Sequence, residues 1–154
     1  MTTPPILVEL VRDGLVESVH RGHAVLLDSN GKIEVSLGDP LKPIFPRSAI
    51  KIAQATAMLR SGAQLENEKL AISCASHSGE EIHRELVKNM LESIGLSVAA
   101  LQCPPDLPLD PSTQIEYLSK GLKPERITMN CSGKHAGMLS ACVKNDWSVE
   151  NYLS

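Results

Sequence analysis

The chain has 154 residues, enough for one domain with a sizeable core, and its 42% hydrophobic and 21% charged content is that of an ordinary globular protein. A formal charge of −3 and an aromatic content of 3% provide neither a basic footprint nor a stacking platform, which argues against nucleic acid as the main partner. No apolar run approaches the length of a membrane span, so no membrane partner is expected, and Met1-Thr2-Thr3-Pro4-Pro5 lacks the basic segment and apolar core of a signal peptide.

In chain order, Ile6 to Val11 is a strand ended by Asp13-Gly14. Ala24 to Leu27 and Ile33 to Leu37 are two more, and the Asn30-Gly31 pair between them predicts a hairpin. Pro40, Pro43 and Pro46 break the chain into a loop. A helix from Ser48 to Ser61 follows, stopped by Gly62 and apolar on nearly every face, which predicts a place in the middle of the fold. Leu70 to Ala75 is a short run of mostly small residues. Ser78 and Glu81 have the spacing of a capping box for an amphipathic helix that ends at Ile94-Gly95. Asp110-Pro111 suits the start of a short helix from Ser112 to Lys120, closed by Gly121. A last helix, rich in small residues, opens after Asn130 and runs to Lys144, with glycines that permit close backbone approach; Trp147 is expected in the core. Sheet first and helices afterwards reads as α+β.

Four stretches carry candidate chemistry. In Pro46-Arg47-Ser48-Ala49-Ile50-Lys51 a hydroxyl and an amine stand three residues apart, on one helix face. A deprotonated lysine can accept a serine's proton, and apolar neighbours favour the neutral amine by desolvation. The same spacing in Ser29-Asn30-Gly31-Lys32 lies in a plain turn, and the bland alternative for Ser48 is a helix cap beside a surface lysine. Cys74-Ala75-Ser76-His77-Ser78 crowds two hydroxyls, a thiol and an imidazole into five residues, as either a second serine with a proton carrier or the approach to the next helix. In Cys131-Ser132-Gly133-Lys134-His135 a thiolate and a nitrogen donor could hold zinc at a helix start. Its Gly-Lys pair is not a phosphate-binding loop, because Thr128 stands where a glycine is required and His135 where Ser or Thr should be. His20 and His23 read as hydrogen-bonded residues at a strand end. Cys74, Cys103, Cys131 and Cys142 have no framework spacing, so free thiols or metal ligands are expected in a protein expected to be cytoplasmic.

Together with Val16-Glu17-Ser18-Val19-His20-Arg21-Gly22-His23-Ala24 and Asn130 to Met138, these stretches in this order resemble the asparaginase II family, the asparaginases with a serine-β-lactamase-like fold. The resemblance implies an α+β fold of the β-lactamase and penicillin-binding-protein kind. It covers the N-terminal half of family members, so residues 1–154 are expected to form a single but incomplete domain, truncated after about Trp147. The activity implied is hydrolysis of L-asparagine to aspartate and ammonia through a serine acyl-enzyme. Ser48 matches the nucleophile, Lys51 its base, and Ser76 a second catalytic serine that relays a proton or holds a hydrogen bond. Cys131 and Lys134 match zinc-binding positions, whose third ligand would lie outside this chain. Arg47, His77 and His135, beside those positions, are candidate substrate-binding residues. The expectation includes a homodimer, or association with the missing C-terminal half. The alternatives are a non-catalytic remnant acting as an interaction module and a metal-binding regulatory domain using Cys131 and His135.

Overall fold

A computed structural model describes residues 3–153, and the chain divides into two compact units, Met1–Phe45 and Pro46–Ser154. The secondary structure is mixed, with small antiparallel sheets first and helices after them.

The first unit is built from two hairpins. Strand β1 (Ile6–Arg12) pairs antiparallel with β2 (Leu15–Arg21), and β3 (Ala24–Leu27) with β4 (Ile33–Leu37). Asp13 and Gly14 both take positive φ, 49° and 80°, the backbone that a two-residue hairpin turn requires. The residues after Asp13-Gly14 are therefore a strand, which periodicity alone does not reveal. Register shifts between Ile6 and Val8 and between Leu10 and Val11 break the alternation of apolar and polar residues. The β3–β4 hairpin forms where Asn30-Gly31 predicts it. Asp28 Oδ1 accepts the amides of Asn30 and Lys32, each at 2.8 Å, which leaves the Ser29–Lys32 pair in a turn, as expected. His23 Nδ1 accepts the Asp39 amide at 2.8 Å, in keeping with the strand-end reading of that residue.

The second unit packs three of its five described α-helices around a fourth. Its α-helices are α1 (Lys51–Arg60), preceded by a 3₁₀ turn over Arg47–Ile50, then α2 (Asn67–Cys74), α3 (Glu81–Glu92), α4 (Pro111–Ser119) and α5 (Ser132–Lys144). Helix α5 is the centre, packed by α1, α2 and α3. Nine of its 13 residues are buried, because small side chains let the neighbours come close. A Cβ on Gly133 would lie 2.6 Å from the Ile72 carbonyl oxygen of α2, and one on Gly137 would lie 2.7 Å from Ser73 Oγ and 2.9 Å from Met58 Sδ of α1. Val87, Met90 and Leu91 of α3 close the core against Leu139. Each such side chain contributes about 1.5–3 kcal/mol when fully buried.

Three expectations are corrected. The helix after Ser48 is not enclosed on every side: α1 buries Lys51, Ala55 and Met58, one face at helical spacing, and leaves Ile52 73% exposed. The small-residue helix takes the central place instead. Ser78 and Glu81 do not form a capping box. Gly79 turns at φ +83°, Glu80 becomes the N-cap of α3, and Ser78 Oγ donates to Glu80 Oε2 at 2.5 Å. Trp147 lies outside the core, at 55% exposure. By contrast, Asp110 caps α4 as Asp110-Pro111 implies, its carboxylate accepting the Thr113 amide at 2.7 Å.

Close approach at Gly133 makes a specific prediction. Gly133→Ala should lower the unfolding free energy by about 1–3 kcal/mol, the range for overpacking a tight contact. Helix propensity alone would raise it by about 1 kcal/mol. Urea denaturation decides between them, and a more stable variant would show that α2 and α5 can separate freely.

Candidate active site

Lys51 is the first residue of α1 and is buried beside the loop that follows α2. Its Nζ donates to the Ala75 carbonyl at 2.7 Å and lies 2.7 Å from Ser76 Oγ. No carboxylate pairs with it among the described residues. Burial pushes the amine below its usual range; a nearby Cys131 thiolate would oppose this and the Lys134 charge adds to it. Those two influences also place Lys51 in the electrostatic neighbourhood of Cys131 and Lys134 at the start of α5. A neutral amine has a lone pair, so Lys51 can keep its hydrogen bond to Ala75 and accept the proton of Ser76.

Ser48 lies in the 3₁₀ turn, where residues three apart eclipse one another, and its carbonyl accepts the Lys51 amide. Its hydroxyl is exposed and makes no hydrogen bond among the described residues. Of the three catalytic candidates, the structure joins Lys51 to Ser76 by a hydrogen bond, while Ser48 stays one turn away along the backbone. Arg47, immediately before it, is exposed and holds φ at +51°, a left-handed conformation that costs a non-glycine residue about 1–3 kcal/mol.

The two histidines are interior residues. His77 is 4% exposed, and its amide donates to the Asn130 carbonyl at 2.9 Å. Its Nδ1 accepts the Gly79 amide at 3.2 Å, so the ring proton is on Nε2, which faces Ser132 Oγ at 2.8 Å. Ser132 in turn donates to the Ile127 carbonyl at 3.0 Å. His135 Nδ1 is 2.8 Å from the Tyr152 hydroxyl, which accepts the Gln102 amide. Burial lowers both imidazoles to about 4, with the charges of His83 and Lys51 adding to the effect at His77, and those of Lys134 and Lys51 at His135.

Cys131 lies at the N-cap of α5, its Sγ 3.0 Å from Met129 Sδ, and Lys134 is half-buried one turn on. These are two donors, whereas a closed zinc site takes four, and the described residues contain no group of three or more His, Cys, Asp or Glu able to hold a metal. The residues present do not make up a zinc site by themselves. The four cysteines are free thiols.

A cleft of about 720 Å³ opens beside Ser76, between α2 and α3, lined by Ala71, Ile72 and Leu86 on its apolar side and by Glu68, Glu80 and His83 on its polar side. His83 stacks on His77, the ring centroids 5.4 Å apart. Sequence reasoning overlooked α2 and hence this cleft, because α2 is short and its buried residues are only Ile72 and Ser73. It also overlooked Ser132, whose role depends on a partner 55 residues away.

The neutral histidines set a pH dependence. Both imidazoles regain an ordinary value near 6.5 on unfolding, so below that pH the unfolded chain binds protons that the folded one refuses. Their full contribution to stability is present above about pH 6.5 and is lost as pH falls towards about 4. Thermal unfolding followed across that window should show Tm falling with pH, and His77→Gln should flatten the slope. An unchanged slope in that variant would mean that His77 titrates normally in the folded chain.

Against known proteins, the L-asparaginase II family profile matches residues 8–154. No curated protein matches the chain. With the match running across both units, from β1 to the end of the described residues, the chain belongs to the L-asparaginase II family.

Proposed function

We propose that the chain is an L-asparagine amidohydrolase that works through a serine acyl-enzyme. The observation that carries this reading is the buried Lys51 amine, unpaired with any carboxylate among the described residues and hydrogen-bonded to Ser76 Oγ at 2.7 Å. A lysine in that state is a general base. Ser48 Oγ attacks the side-chain carboxamide carbon, and its proton passes to Lys51. The carbon–nitrogen bond breaks as Lys51, through Ser76, returns the proton to the leaving nitrogen. The products of this half are ammonia and an aspartyl ester on Ser48. Water then attacks the ester with Lys51 as base, releasing aspartate and the Ser48 hydroxyl. The strained Arg47 beside Ser48 supports the placement, since strain of this kind concentrates at functional sites. Cys131 and Lys134 could contribute two of the donors that a zinc ion needs.

A second reading exchanges the serines. Because Ser76, not Ser48, is hydrogen-bonded to Lys51, Ser76 could itself be the nucleophile.

The test is ammonia release from L-asparagine by the purified chain, beside Ser48→Ala, Ser76→Ala and Lys51→Met. Each substitution should lower kcat/KM by at least about 100-fold, the scale of losing a positioned base or its nucleophile. Acid quenching during turnover, with mass spectrometry of the peptides, should find the aspartyl ester on Ser48. An ester on the peptide carrying Ser76 would establish the second reading, and full activity in Lys51→Met would overturn both.

A further inference from the structure

We propose that His77 is a positioning residue, and that its clamp on Ser132 holds Ser76 Oγ against Lys51 Nζ. Ser76 belongs to no helix or strand: α2 ends at Cys74, Ala75 is extended, and α3 begins only at Glu81. Nothing in its own segment fixes its direction, so its neighbours must. On one side Ala75 gives its carbonyl to Lys51. On the other, His77 is tied twice to the opening of α5: its amide bonds the Asn130 carbonyl, and its Nε2–H bonds Ser132 Oγ. Ser132 is fully buried and anchored again to the Ile127 carbonyl, so the far end of the clamp is rigid. The near end is fixed by the Gly79 amide on Nδ1 and by Ser78, whose carbonyl accepts the Asp110 amide at 3.0 Å.

The clamp also sets which atoms can do what. Both ring nitrogens are occupied inside the protein, so neither is available to bind a substrate or carry its proton. The same contacts couple the Ser76 loop to the segment bearing Cys131 and Lys134, so α5 and the Lys51 pocket share one alignment. The kinetic part of this inference rests on the function proposed above; the structural part does not.

Four variants test it: Ser132→Ala, His77→Leu, the two combined, and His77→Gln, whose side-chain amide can donate from the place of Nε2. With asparagine as substrate, Ser132→Ala and His77→Leu should each lower kcat about 10- to 100-fold, the cost of a small misplacement, and leave KM within about twofold. The double variant should be no worse than His77→Leu alone, and His77→Gln should recover most of kcat. Independently of turnover, the peptide spanning residues 75–80 should exchange its amide hydrogens about tenfold faster in Ser132→Ala, and at the native rate in His77→Gln. A raised KM with unchanged kcat would make His77 a substrate contact and overturn the proposal, as would native exchange in Ser132→Ala. If the wild-type chain releases no ammonia, the amidohydrolase reading fails, while the exchange rates still decide whether the clamp exists.

Discussion

The contact between α5 and α2 at Gly133 governs the helical unit. A helix can place its backbone against the carbonyl of another only where it carries no side chain, and Gly133 meets Ile72 in that way while Gly137 meets Ser73 and Met58. This approach brings the start of α5 beside the end of α2. The loop after α2 therefore lies where His77 can bond Asn130 and Ser132, and where Ala75 and Ser76 can meet Lys51. A longer separation between the two helices would cost more than packing, because both contacts of His77, to Asn130 and to Ser132, cross that seam.

The electrostatics of the site follow from the same arrangement. Burying an amine without a counter-ion is unfavourable for the charged form, and the protein answers with a carbonyl and a hydroxyl, not a carboxylate. A carboxylate at that position would stabilise the ammonium and remove its value as a base. The two buried imidazoles obey the same rule. Each has a hydrogen-bond partner suited to the neutral ring, and neither is ion-paired with a carboxylate among the described residues. The interior around Lys51 thus discourages positive charge at three neighbouring groups, which favours proton transfer over ion pairing.

What could be read from the sequence was mostly local. The Asn30-Gly31 hairpin, the stripe of α3, the Asp110 cap of α4 and the small-residue character of α5 are all encoded within a few residues, and all are present. The order of the motifs also led to the right family. Misreadings arose where distant contacts decide. Strand β2 is obscured by irregular register, and α2 by its shortness. Helix α1 has apolar residues all round, so composition alone could not say that only the Lys51, Ala55 and Met58 face would be buried. Ser78 has a capping-box spacing, but the left-handed turn at Gly79 carries it past the helix start. The pairing of His77 with Ser132 depends on α2 and α5 meeting, and that of Lys51 with Ser76 ahead of Ser48 on α1 and α2 meeting, which no local pattern records.

Of the five α-helices described, the central one is also the last to be synthesised. From the end of α1 at Arg60 to the end of α5 at Lys144, a ribosome working at roughly 5–20 residues per second takes roughly 4–17 s. Over that interval α1, and then α2 and α3 as each emerges, lack the element they share, their inward faces still open to water or to chaperones. Translation speed, as much as final stability, then governs how long the apolar faces of this unit stay uncovered in the cell.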